Sequence, residues 1–271
     1  MTPLGDDRDA RHDRYCDEIE KQLRQLRAVV TSGADLSATV PTCPDWSLEQ
    51  LVRHTGGALR WVELNVRSRA REEVPEAEVP GYEGPEKRGD PAALDAWLAE
   101  TGDMVVRTVR AAGPDTDVWT WGWERTSGFW ARRMVNEITI HRADATLAAG
   151  LPYEVAPEIA ADAIDEWLEI VEFAQRTMPG DPSGELRGPG RSIHLHATDA
   201  PAGLDAEWVV ELTERGLVRR RGHEKATVAL RGPLTEVLLA FYRRLPLDDE
   251  RLEVLGEREL LEFWLERATF G

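Results

Sequence analysis

Apolar residues recur at helical spacing through five successive segments up to Met178, and beyond the Gly- and Pro-rich break at residues 179–190 the spacing shifts toward two. A chain written in two periods must bury helix stripes against one another in its first part and a sheet face in its second. The predicted helices cover residues 15–31, with Ile19, Leu23, Leu26 and Val30 as the stripe, and a second segment from Leu48, where Ser47 and Gln50 form a capping box. They continue over 91–112 after Asp90, over 127–149 before the stop signal Gly150 and Pro152, and over 157–178. Gly56 and Gly57 inside the second helix permit close packing or a bend. Residues 74–90, rich in Pro, Gly and Glu, predict a mobile loop. Strands are expected over 192–198, 206–213, 216–220 and 226–231, with further helices from Pro233 and over 257–269. The expected fold class is mainly α plus α+β: an up-down helical bundle over 1–180 and a smaller α+β domain over 181–271.

Charge narrows the function classes. Lys and Arg number 33 against 50 Asp and Glu, a formal charge of −17, and a field of that sign repels phosphate backbones and anionic membranes. No window approaches the ~18 consecutive apolar residues of a membrane span, and the first residues lack the apolar core of a secretory signal. A soluble cytoplasmic protein is expected, without nucleic-acid or membrane partners. Cys16 and Cys43 are the two cysteines, and the absence of any CxxC excludes a zinc ribbon. Cys43, in a Pro-bounded loop, reads as a small packed residue and not as a nucleophile.

Glu137 and His141 stand four apart, on one face of the predicted fourth helix, so a carboxylate oxygen and an imidazole nitrogen can converge on one cation. By itself that spacing is ordinarily an exposed pair contributing about 0.2–0.5 kcal/mol to a helix. His54 changes the reading, because it sits on the second helix among Leu51, Val52 and Leu59. Two His and one Glu from two helices of a bundle form a set that holds a divalent metal and leaves positions open. A divalent metal is expected there, and the donor set does not exclude nickel or iron. His12 is expected in a polar tail, and His194 and His196, alternating along one strand, as strand surface or core instead of a second metal site. Asp144, three residues past His141, either orients that imidazole or pairs with an Arg. Arg132, Arg133 and Arg142 on the metal helix, and Arg221 in the run 219–221, are candidate grips for an anionic substrate. Trp121 and Trp123, in a segment that also holds Trp119 and Trp130, are candidates for a pocket wall, the alternative being tryptophans that seal one end of the bundle.

The segment Val40-Pro41-Thr42-Cys43-Pro44-Asp45-Trp46-Ser47, then Leu51-Val52 and His54, and later Arg132 to Asp144, resembles the mycothiol-dependent maleylpyruvate isomerase family, whose bundles belong to the DinB-like superfamily. Residues 226–244 and 252–265 resemble that family's smaller α+β domain, similar in shape to sterol-carrier proteins. Where the family most often has Pro-Gly-Trp this chain has Pro44-Asp45-Trp46. The resemblance places the family's zinc triad on His54, Glu137 and His141. It implies an enzyme that uses mycothiol, held as a metal-bound thiolate, to attack a small electrophile, as an S-transferase or a maleylpyruvate-type cis-trans isomerase. Two other readings stand beside it: a non-catalytic small-ligand-binding or stress-related DinB-like protein, and a thiol-independent metal hydrolase. The electrophile and the oligomeric state are not written in the sequence.

Overall fold

Four long helices form the bundle, α1 (Arg8–Val30), α2 (Leu48–Ser68) and α3 (Pro91–Ala112) burying one apolar face each and α4 (Ser127–Ala148) buried over most of its surface. The computed structural model describes residues 8–269, and the chain divides into two compact units between Tyr153 and Glu154. The polar stretch up to residue 7 lies outside the described residues. Asp90 caps α3 by accepting from the amides of Ala92 and Ala93, with Pro91 in the first turn, and the Ser47–Gln50 capping box opens α2. α1 begins seven residues earlier than its apolar stripe predicts, and this corrects the expectation for His12. That residue is 3% exposed within α1, its Nε2 2.9 Å from the carbonyl of Val109.

Side-chain pairs fix the helix directions. Arg27 on Asp95 and His12 at Val109 make α1 and α3 antiparallel, whereas Arg60 on Thr101 and Thr108 on Glu63 make α2 and α3 parallel. Trp61 against Trp130, and His54 at Glu137, make α2 and α4 antiparallel. The order is therefore up-down-down-up, so the α2–α3 connection must return along the bundle. It does so under restraint, which corrects the expected mobile loop. Trp61 Nε1 donates to the carbonyl of Val74 and Trp97 Nε1 to that of Gly81, while Arg53 donates to those of Glu83, Pro85 and Lys87. Gly56 sits where α2 meets α3, and a Cβ there would strike the Trp97 ring. Gly56→Ala is expected to destabilise the bundle by about 1–3 kcal/mol through overpacking, read as a lower urea midpoint at unchanged slope; an unchanged midpoint would contradict this packing. Between α1 and α2 a small hairpin, β1 (Thr39–Val40) and β2 (Cys43–Ser47), too short to announce itself in the sequence, leads into the α2 cap.

The second unit contains α5 (Pro157–Thr177), β3 (Arg191–Ala197), β4 (Glu207–Thr213), β5 (Gly216–Arg221), β6 (Val228–Gly232), α6 (Leu234–Phe241), β7 (Glu253–Gly256) and α7 (Arg258–Arg267). Its sheet runs in the order β5-β4-β3-β6-β7, antiparallel except for the β3–β6 pair. The boundary thus falls before α5 and not at residue 180, where composition placed it. The reason is packing: the Tyr242 hydroxyl donates to the carbonyl of Ala163, the Trp167 and Tyr242 rings lie 5.0 Å apart, and Trp208 Nε1 of β4 donates to Asp165. The Gly- and Pro-rich break joins two elements of one unit. Ile193, Leu195, Val210, Leu230, Leu238, Phe241 and Trp264 form its core, with Phe241 and Trp264 stacked at 5.3 Å. His194 and His196 share a β3 face as expected, but they are not a simple surface pair, because Glu207 and His223 join them. Among the described residues no helix is long and apolar enough to cross a membrane.

Candidate metal centre

Antiparallel α2 and α4 bring the three residues expected as ligands to one point. Glu137 Oε1 lies 3.0 Å from His141 Nε2 and 3.4 Å from His54 Nε2, and the ligand atoms of all three lie within 4.8 Å of one another. The His54 and His141 rings meet edge to face at 5.1 Å. His54 is the most open of the three, with 37% of its side chain exposed, so the centre has one accessible side.

Each ligand is held by a neighbour. His141 Nδ1 lies 3.1 Å from Asp144 Oδ2, and Thr42 from the β1–β2 turn donates to the other Asp144 oxygen. Asp144 is fully buried and fixes the tautomer that turns Nε2 toward Glu137, the arrangement by which an outer carboxylate orients a metal-binding imidazole. Arg133, one turn before Glu137, donates to Glu137 Oε2 and leaves Oε1 facing the two imidazoles. The Trp46 ring packs on His54 at 4.8 Å. Trp46 and Thr42 belong to the resembling segment, yet only the hairpin, which folds that segment back over α2, shows what they touch.

The electrostatics fit a cation site. Burial alone would depress His141, but the Glu137 charge and hydrogen bonds to Asp144 and Glu137 outweigh it and raise its pKa to about 9. Burial alone would raise Glu137, and the His141 and Arg133 charges instead hold it well below the usual carboxylate range. Without metal, a proton on His141 Nε2 thus occupies the space toward Glu137 that a divalent ion would fill. The raised His141 pKa stabilises the metal-free fold fully below about pH 6.5, its unfolded value, and that contribution is lost as pH rises through about 9. The lowered Glu137 pKa contributes above about 4.5 and is lost as pH falls through its folded value. Metal-stripped protein is therefore expected to lose thermal stability between about pH 6.5 and pH 9. His141→Ala removes that limb; a variant with the same pH profile as wild type would contradict the assignment.

The other expected site residues part company. Residues 133, 137 and 141 form one stripe of α4, and Arg132 and Arg142 each stand about 100° around the helix from it. Arg142 is a correction: it is 4% exposed, donates to Gln22 Oε1 and lies 4.3 Å over the Tyr153 ring, so its guanidinium serves the bundle core. Arg132 is half-buried off the stripe. Arg133 does reach the centre, but by gripping Glu137. Arg221 lies in the second unit, where it pairs with Asp165 at 2.5 Å and stacks on Trp208 at 4.1 Å. Trp121 and Trp123 pack edge-on against Phe129, beside a cluster of Trp61, Trp119 and Trp130. Phe129 precedes Glu137 by about 12 Å of helix, so the aromatic cluster seals the bundle away from the ligands themselves.

Comparison with known families assigns both units. Residues 16–146 match the mycothiol maleylpyruvate isomerase N-terminal domain, and residues 158–263 match the MDMPI C-terminal domain. The chain belongs to the mycothiol maleylpyruvate isomerase family. Within this family assignment, the first match covers His54, Glu137 and His141, and the second begins with α5, in agreement with the structural boundary. No curated protein and no solved structure matches the chain.

Proposed function

We propose that this protein is a divalent-metal-dependent enzyme that activates mycothiol for attack on a small electrophile, as a maleylpyruvate-type cis-trans isomerase or a mycothiol S-transferase. The observation that carries the proposal is the meeting of His54 Nε2, His141 Nε2 and Glu137 Oε1 on the open side of the bundle. Two neutral imidazoles and one carboxylate suit zinc and comparable borderline cations, and they leave coordination positions for a ligand from solution. A divalent ion bound there supplies a net positive charge that favours the thiolate form of a thiol at neutral pH.

The chain's own residues prepare that charge and leave the nucleophile to the cosubstrate. Asp144 holds the His141 Nδ1 proton, Thr42 holds Asp144, and Arg133 offsets part of the Glu137 charge. Trp46 packs its ring against His54 at 4.8 Å. Burial pushes the Cys16 thiol up to about 11, which disfavours its thiolate. Addition of the thiol sulfur to an unsaturated carbon makes a single bond about which rotation occurs, and its elimination completes an isomerisation. Retention of the sulfur completes a transfer. The partners are small molecules, the thiol and the electrophile, and a cytoplasmic location belongs to the same proposal. The test is turnover of maleylpyruvate and of a panel of electrophiles by zinc-loaded protein with and without mycothiol. Thiol-dependent turnover supports the reading, whereas turnover independent of thiol would favour metal-activated water and hydrolysis.

A further inference from the structure

Three histidines and a glutamate meet in the second unit, with no part in the chemistry proposed for the bundle. His194 and His196, two apart on β3, share a face of the sheet, and Glu207 on β4 stands directly opposite His196 in the antiparallel register. His223 follows β5 by two residues and reaches Glu207 from the other side, where the Gly222 amide donates to the Glu207 carbonyl. β4, between β3 and β5, thus presents a carboxylate between imidazoles from both sides. Glu207 Oε2 lies 2.8 Å from His194 Nε2, 2.9 Å from His196 Nδ1 and 2.6 Å from His223 Nδ1. The three rings stand pairwise at 5.3 to 5.4 Å, and the four ligand atoms lie within 4.8 Å of one another.

Hydrogen bonding alone accounts poorly for this group. One carboxylate oxygen has two lone pairs to offer, and three imidazoles crowd it. Protonating all three would set like charges against one another, and neutral rings either turn lone pairs toward the carboxylate or set three N–H donors on one oxygen. A cation resolves both difficulties at once, because it accepts all three nitrogen lone pairs and the carboxylate. Imidazole donors select zinc and its first-row neighbours over magnesium and calcium, which take oxygen ligands. Tetrahedral zinc with bonds of about 2.0–2.1 Å separates its ligand atoms by roughly 3.3 Å, so the Glu207 contacts need to open by less than an ångström. The group can give that much: His194 is anchored in the sheet with 7% of its side chain exposed, while His223, 71% exposed, stands on the coil between β5 and β6. A surface cleft of about 510 Å³, lined by residues 200–206 with Glu207, Arg221 and His223, admits an ion from solvent.

We propose that His194, His196, Glu207 and His223 form a second transition-metal site that fastens the β5–β6 connection to β3 and β4. Four protein donors fill a tetrahedral shell, so the site is structural, in contrast to the open triad of the bundle.

The test is calorimetric titration of zinc into metal-stripped full-length protein. Wild type is expected to bind two equivalents, His54→Ala one, His196→Ala/His223→Ala one, and the three changes combined none. Circular dichroism checks the fold, and His223→Ala alone, on an exposed coil, keeps the test usable if the strand substitution impairs folding; it is expected to weaken one of the two binding events and leave the other unchanged. Protection of amides 222–227 from hydrogen exchange should rise with zinc in wild type and in His54→Ala, and not in His223→Ala. A wild-type stoichiometry of one that vanishes in His54→Ala would overturn this site and leave the bundle centre standing. A stoichiometry of one that survives His54→Ala and vanishes in the double variant would support this site and remove the other.

Discussion

Glu137→Gln is expected to abolish thiol-dependent turnover while leaving the bundle folded. The substitution keeps the size and shape of a side chain that contacts both imidazoles and Arg133, but it removes the charge that each of them faces. Loss of an outer partner of a metal ligand typically costs about 10- to 100-fold in affinity or activity, and loss of an anionic ligand itself should exceed that range. Two effects accompany the loss. Arg133 is left without its buried counter-charge, so some stability is forfeited, and His141 loses the interaction that contributes most to raising its pKa. Zinc content after dialysis and turnover should fall together. A Glu137→Gln protein that retains zinc and turns over maleylpyruvate at the wild-type rate would contradict the assignment of Glu137.

Asp144→Asn is expected to produce the second-largest effect, about 10- to 100-fold weaker zinc binding, without removing any ligand. Asp144 has no exposed surface, and its carboxylate acts on the centre through the Nδ1 proton of His141, with the hydroxyl of Thr42 on its other oxygen. An Asn amide can present its NH2 to Nδ1 and favour the tautomer with the proton on Nε2, the atom needed for the ion. Zinc affinity should fall, while turnover at saturating zinc recovers a larger share of wild-type activity than Glu137→Gln does. Equal zinc affinity in Asp144→Asn and wild type would show that the His141 tautomer is set elsewhere.

The triad was legible because its geometry is local. Glu137 and His141 are one helical turn apart, and a capping box beginning at Ser47 placed His54 within a long helix. Asp144, three residues past His141, was legible as one of two readings, whereas Trp46 and Thr42 were not, since they reach the centre through a hairpin of two short strands. Arg132, Arg133 and Arg142 look equivalent as sequence, and helical angle together with Gln22 and Tyr153 separates them. The loop at 74–90 has the composition of a mobile segment but is held through its backbone carbonyls, which sequence does not display. The same limit explains the misplaced boundary, because α5 joins the second unit through contacts to Asp165 and Ala163 made far along the chain. The histidine group in the sheet needed the β3–β4 and β4–β5 registers to bring Glu207 and His223 beside His194 and His196.

The most direct test of the account is calorimetric titration of mycothiol into wild-type protein and into His54→Ala and His141→Ala, each with and without zinc. Binding of one mycothiol per chain to zinc-loaded wild type, absent without zinc and absent in both variants, is the predicted result. Equal binding of mycothiol to metal-free wild type or to either variant would contradict a thiol site built on His54, Glu137 and His141.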